Sequence, residues 1–81
     1  MVAVAAAAVA LRRSPVLHVS RDDADAERWT VRREGGLCTH RFPDRRQAAE
    51  FARRVGRAAG GYRLFLELRD GRVVCEMLNV S

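Results

Sequence analysis

From Arg28 to Phe42 the chain alternates apolar and polar residues on either side of Gly35-Gly36. Taking that pair as a two-residue turn fixes the register, because successive side chains of a strand point to opposite faces. Trp29 then stands opposite Phe42, Thr30 opposite Arg41, Val31 opposite His40, Arg32 opposite Thr39 and Arg33 opposite Cys38. One face gathers Trp29, Val31, Cys38, His40 and Phe42. The other carries Arg28, Thr30, Arg32, Glu34, Leu37, Thr39 and Arg41, the pattern of a hairpin packed on one side and wet on the other.

The period then changes from two to nearly four. Ala48, Phe51, Ala52, Val55 and Ala59 recur at helical spacing and predict an amphipathic helix laid on the Trp29/Phe42 face. Asp44 is its expected N-cap and Gln47, three residues on, completes a capping-box pattern. Pro43 discourages helix before Asp44, and Gly60-Gly61 supplies the stop. Arg46, Glu50, Arg53, Arg54 and Arg57 fall on the outer side, with Glu50 four residues before Arg54 in the favourable order for an ion pair.

Shorter alternating runs flank this unit. Val16 to Ser20 reads as a first strand with Leu17 and Val19 inward. Arg21 to Glu27 reads as a solvated loop; its Asp22, Asp23 and Asp25 lack the glycine and distal glutamate of a calcium-binding loop. Tyr62, Leu64, Leu66 and Leu68 define one face of a fourth strand, and Asp70-Gly71 signals a two-residue type I′ turn. Counting across it sets Leu68 opposite Val73, Leu66 opposite Cys75 and Leu64 opposite Met77. Phe65, Val74 and Leu78 are then left together on the outer side beside Arg63, Glu67, Arg69, Arg72 and Glu76. An exposed apolar group of that kind marks an interface.

The expected fold is α+β, in the order βββαββ, with one helix covering one face of a single mixed sheet. A right-handed crossover makes the fourth strand parallel to the first and gives the sheet order 3-2-1-4-5. At 81 residues this is one small domain, residues 16–81, with a modest core. The Ala- and Val-rich run before it ends in Arg12-Arg13. It is shorter than the roughly 20 apolar residues that span a bilayer and has no basic segment ahead of it as a signal peptide would. Residues 1–15 are therefore read as a disordered or loosely helical leader, with a start at Val16 or Val19 as the alternative.

Composition changes the picture in one respect. All 15 basic residues are arginine, and the net charge is +5, which favours anionic partners; the same arginine, alanine and valine excess is also what a high-GC coding bias produces. Two cysteines without a cysteine-dense framework fit a reducing cytoplasm.

His18-Val19, W-T-V-R-R-E-G at Trp29 to Gly35, the Asp44-initiated Ala-rich helix and R-D-G-R-V at Arg69 to Val73 resemble a family of short bacterial proteins, the domain of unknown function 2188 family. The resemblance covers about residues 17 to 74. It departs from the family pattern in the Ala-rich leader, in the longer Arg21 to Glu27 loop and in a last strand that stays apolar to Leu78. It implies the same fold; the family has no assigned activity, so no site is carried over.

Candidate chemistry is sparse. There is no phosphate-binding loop, no G-x-S-x-G, no H-E-x-x-H and no C-x-x-C. Cys38, His40 and Cys75 share the expected inner face and suggest a zinc site, but structural zinc uses paired ligand motifs, and satisfied core residues are the better reading. No nucleophile, base and orienting group can be named together, so the chain is read as a non-enzyme without a cofactor, a membrane segment or an identifiable small-molecule substrate. The preferred function is nucleic-acid binding by Arg28, Thr30, Arg32, Thr39 and Arg41 on the wet face of the hairpin. Three strands followed by a helix there resemble the sheets that plant ethylene-response-factor domains and the arm-binding domains of phage integrases lay in the major groove. Trp29 is assigned to the core, which leaves no exposed aromatic on that half of the sheet. The alternative is a homodimer or protein-interaction module built on Phe65, Val74 and Leu78 and a sheet edge.

Overall fold

The computed structural model describes residues 14–79; the leader expected over 1–15 lies, as far as residue 13, outside the described residues. The chain forms β1 (Val16–Arg21), β2 (Trp29–Arg33), β3 (Thr39–Phe42), α1 (Arg45–Ala58), β4 (Gly61–Glu67) and β5 (Val73–Asn79). The strands make one sheet in the order β3-β2-β1-β4-β5, with β1 and β4 parallel and the other neighbours antiparallel. This is the expected α+β order.

The core lies between α1 and one sheet face. Leu17 and Val19 of β1, Trp29 and Val31 of β2, and Tyr62, Leu64 and Leu66 of β4 meet Ala48, Ala49 and Ala52 of the helix. Alanine lets the helix sit close to the strands, and the aromatic and branched residues fill the space from the sheet side. Asp44 caps the helix, its side chain accepting from the Gln47 N–H at 2.8 Å, and Gly60 at φ +93° ends it. The helix is rotated slightly from the expected stripe: Gly56 is buried against the Tyr62 ring, whereas Ala59 is the exposed C-cap.

The first hairpin has the expected register from Trp29↔Phe42 to Arg32↔Thr39. Its pairing stops there, because the turn is built on Glu34-Gly35, with Gly35 at φ +82° and the Gly36 N–H bonded to the Arg33 carbonyl. Arg33 pairs with Leu17 of β1 instead. Cys38, expected on the inner face, is therefore in an exposed loop, and His40 is exposed on the flank of the core, its ring 4.9 Å from that of Phe51.

The second hairpin departs from expectation by one residue. The Leu68 N–H bonds to the Arg72 carbonyl and the Gly71 N–H to the Leu68 carbonyl, a three-residue loop with Gly71 at φ +92°. The pairs are therefore Leu66↔Val74, Phe65↔Cys75 and Leu64↔Glu76. A one-residue shift turns every β5 side chain to the other face. Val74, Glu76 and Leu78 point to the helix side; Val73, Cys75 and Met77 point away from it.

That shift places Glu76 under the helix. Arg53 donates to both of its carboxylate oxygens at 2.8 and 2.9 Å, and the Tyr62 hydroxyl donates to Oε2 at 2.6 Å. The anticipated Glu50–Arg54 pair is replaced by Arg46–Glu50 at 3.2 Å. The loop after β1 is likewise less wet than expected: Asp22 is buried and its Oδ1 accepts from the Ala24 N–H. No helix among the described residues is long and apolar enough to cross a membrane.

Candidate nucleic-acid interface

Among the described residues a single helix covers a single face, and none of them covers the opposite face of the five strands. Residues of one parity project from it, and the strand pairings set them in rows. The central row reads Thr39, Arg32, His18, Phe65 and Cys75 from β3 to β5. Arg41, Thr30 and Ser20 form a row on one side of it, and Val16, Arg63 and Met77 a row on the other.

Two aromatic rings meet at the middle. His18 and Phe65 are cross-strand partners on the parallel β1 and β4, and their rings stack with centroids 5.3 Å apart and planes 16° apart. The Glu34 carboxylate fixes the imidazole through Nε2 at 3.0 Å. Arg32 flanks His18 on β2, and Arg63 lies two residues before Phe65 on the same face. Neither arginine has an ion-pair or side-chain hydrogen-bond partner among the described residues. An aromatic pair between two uncompensated guanidinium groups is chemically suited to stacking flat rings and contacting anionic groups.

The residues expected to form a basic face are distributed differently. Arg32 and Thr39 lie in the central row as anticipated. Arg41 is committed elsewhere, its Nε 2.9 Å from Oδ2 of the buried Asp22. Arg28 lies before β2, 3.6 Å from Asp25. Thr30 spends its hydroxyl on the Ser20 carbonyl at 3.2 Å. Of the expected apolar patch, Phe65 is on the open face, but Val74 and Leu78 are on the helix side, where Leu78 packs against the core. Their places beside Phe65 are taken by Val73, Cys75 and Met77. The grouping of Cys38, His40 and Cys75 is undone by the same shift, and among the described residues no cluster of three or more His, Cys, Asp or Glu is placed to hold a metal ion.

His18 and Arg63 were missed as members of a site. The signal was present in the strand order: once β4 lies beside β1, the outward residues of both strands share a face, and the aromatic lacking from the first hairpin is supplied by its neighbours.

Residues 17–76 match the model of a family described as an uncharacterized protein conserved in bacteria (DUF2188). No curated protein and no solved structure matches the chain.

Proposed function

The chain belongs to the DUF2188 family of uncharacterized bacterial proteins, and from that premise we propose that it binds single-stranded nucleic acid across the face of its sheet opposite α1. The observation that carries this reading is the His18–Phe65 stack at the centre of that face, with Arg32 and Arg63 free beside it. Stacking of bases on aromatic side chains contributes about 1–3 kcal/mol per base and tolerates any sequence. Arg32 and Arg63 supply phosphate contacts, Thr39 a further hydroxyl, and the net charge of +5 draws a polyanion toward the domain. A major groove admits a helix or a two-stranded ribbon; a five-stranded open sheet suits splayed bases better. The role is one of binding, without catalysis.

A second reading, a homodimer, is favoured by a separate observation. Val73 and Met77 are 60 % and 59 % exposed and adjoin Phe65 and Cys75 on an edge strand whose one charged residue is Glu76. An apolar edge of seven residues is a template for pairing with a second copy.

Fluorescence anisotropy of labelled single-stranded RNA, single-stranded DNA and duplex DNA at about 50 and about 200 mM salt tests the first reading. Single strands should bind more tightly than duplex. Affinity should fall with salt, fall further in the Arg32→Ala/Arg63→Ala variant, and fall in Phe65→Ala with the salt slope kept. Flat titrations for all three probes would overturn it. Sedimentation of Val73→Glu/Met77→Glu separates the second reading, since that variant dissolves a dimer without removing either arginine.

A further inference from the structure

On the other side of the sheet, a pocket of ≈ 280 Å³ opens between α1 and the β2–β3 hairpin. Leu17 and Val31 form its floor and Phe51 and Val55 its helical wall, while Arg33 and His40 stand at the rim. The hairpin ladder stops at Thr39, and Gly36 and Cys38 of the 34–38 loop form the side of the pocket facing the helix. Leu37 in that loop also lines the pocket, yet its side chain is fully exposed. The volume is about twice the roughly 150 Å³ that accommodates a benzene ring.

Charge selects the occupant. Arg33 has no ion-pair or side-chain hydrogen-bond partner among the described residues, and no carboxylate lines the pocket. Apolar walls with one convergent cation are the arrangement of a site for an amphipathic anion. We propose that this pocket binds a monocarboxylate with an apolar tail: the tail lies on Leu17, Val31, Phe51 and Val55, the carboxylate pairs with the Arg33 guanidinium, and Leu37 folds over the tail. The site is separate from the open sheet face, because Arg33 and Arg32 point to opposite sides of β2.

Methyl-resolved NMR of the full chain titrated with octanoate, octanol and acetate tests this. Octanoate, kept below its micelle threshold, should shift the Leu17, Val31, Val55 and Leu37 methyls saturably. Octanol, with the same tail and no charge, should bind about tenfold more weakly, the worth of one partly exposed charge-assisted hydrogen bond. Acetate should not shift these signals. Arg33→Gln, which removes the charge and keeps most of the stem that lines the pocket, should bring octanoate down to the level of octanol. Equal binding of octanoate and octanol, or octanoate shifts that map to Phe65 and Met77, would overturn the proposal. Pocket signals that move with protein concentration and ignore octanoate would also overturn it, identifying a second copy as the occupant.

Discussion

Arg53 on the helix and Glu76 on the edge strand form a two-pronged ion pair, Nε to Oε2 at 2.8 Å and Nη2 to Oε1 at 2.9 Å, with the Tyr62 hydroxyl donating to the same carboxylate. The Arg53 hydrogen bonds, assisted by Tyr62 and opposed by partial burial, hold the Glu76 carboxyl down to about 2, from 4.5. A carboxyl depressed on folding stabilises the native state above its unfolded value and loses that contribution as pH falls through its folded value. Stability should therefore be level at neutral pH and decline between about pH 5 and pH 2. With about a third of each side chain exposed, solvent screening reduces the contribution of this group to about 1 kcal/mol. Urea denaturation across that range checks it, and Glu76→Gln should be less stable at pH 7 and show a shallower decline. A variant with the wild-type acid profile would show that Glu76 is not the group responsible.

Gly56 is the one glycine inside α1, and a Cβ placed on it would overlap Cβ and the ring carbons of Tyr62. Glycine in a helix costs about 1 kcal/mol relative to alanine, so Gly56→Ala would stabilise an open helix. Here the overlap forces either the ring or the helix to move, and overpacking of that kind costs about 1–3 kcal/mol. The expected net result is a loss of up to about 2 kcal/mol. Tyr62→Leu removes the ring but keeps Cβ and Cγ, so in a double-mutant cycle it should recover only part of the loss. A gain in stability for Gly56→Ala alone would show that the helix is free to shift.

Asp22 and Arg41 make an unequal pair, the carboxylate side chain 7 % exposed and the guanidinium 62 %. Removing the arginine leaves a buried carboxylate with the Ala24 N–H as its remaining side-chain partner. Removing the carboxylate leaves an arginine that water can solvate. Arg41→Ala should therefore cost about 1–3 kcal/mol, and Asp22→Asn in the Arg41→Ala background should restore part of it, because the amide oxygen still accepts from Ala24. Thermal denaturation of the two single variants and the double variant measures the coupling. Additive losses would mean that the pair is a surface contact only.

Legibility in the sequence followed the strength of the local pattern. Trp29 to Phe42 alternates cleanly, and its register was correct from Trp29↔Phe42 to Arg32↔Thr39 but not through the turn, where Arg33 and Cys38 do not pair; the Asp44 cap and the strand order were also legible. β5 gives no such guidance. Val73, Val74, Cys75, Met77 and Leu78 put apolar side chains on both faces, so burial does not choose between two registers one residue apart. Asp70-Gly71 fits both a two-residue type I′ turn and a three-residue loop with Gly71 in the left-handed region. Arg41 illustrates the other limit. Its partner Asp22 is distant in sequence, and nothing local distinguishes an arginine held by a buried carboxylate from one without an ion-pair partner among the described residues, as Arg32 is.

The β4–β5 register is itself open to test by deletion. In the observed loop Arg69, Asp70 and Gly71 lie between the paired Leu68 and Arg72. Deleting Arg69 leaves Asp-Gly alone in the loop, the preferred sequence for a type I′ hairpin, and every partner from Leu68–Arg72 to Gly61–Asn79 is kept. The deletion variant should fold with stability within about 1 kcal/mol of the parent, a small difference because shortening a loop changes closure entropy little. Its Glu76 should still pair with Arg53, retaining the acid profile described above. Had the loop been Asp70-Gly71 from the outset, Glu76 of the parent would lie on the open face away from Arg53, and the same deletion would shift β5 by one residue, exchange its faces and bring Glu76 to the helix side. A change of several kcal/mol together with an acid decline between pH 5 and pH 2 that is present in the deletion variant and absent from the parent would overturn the observed register.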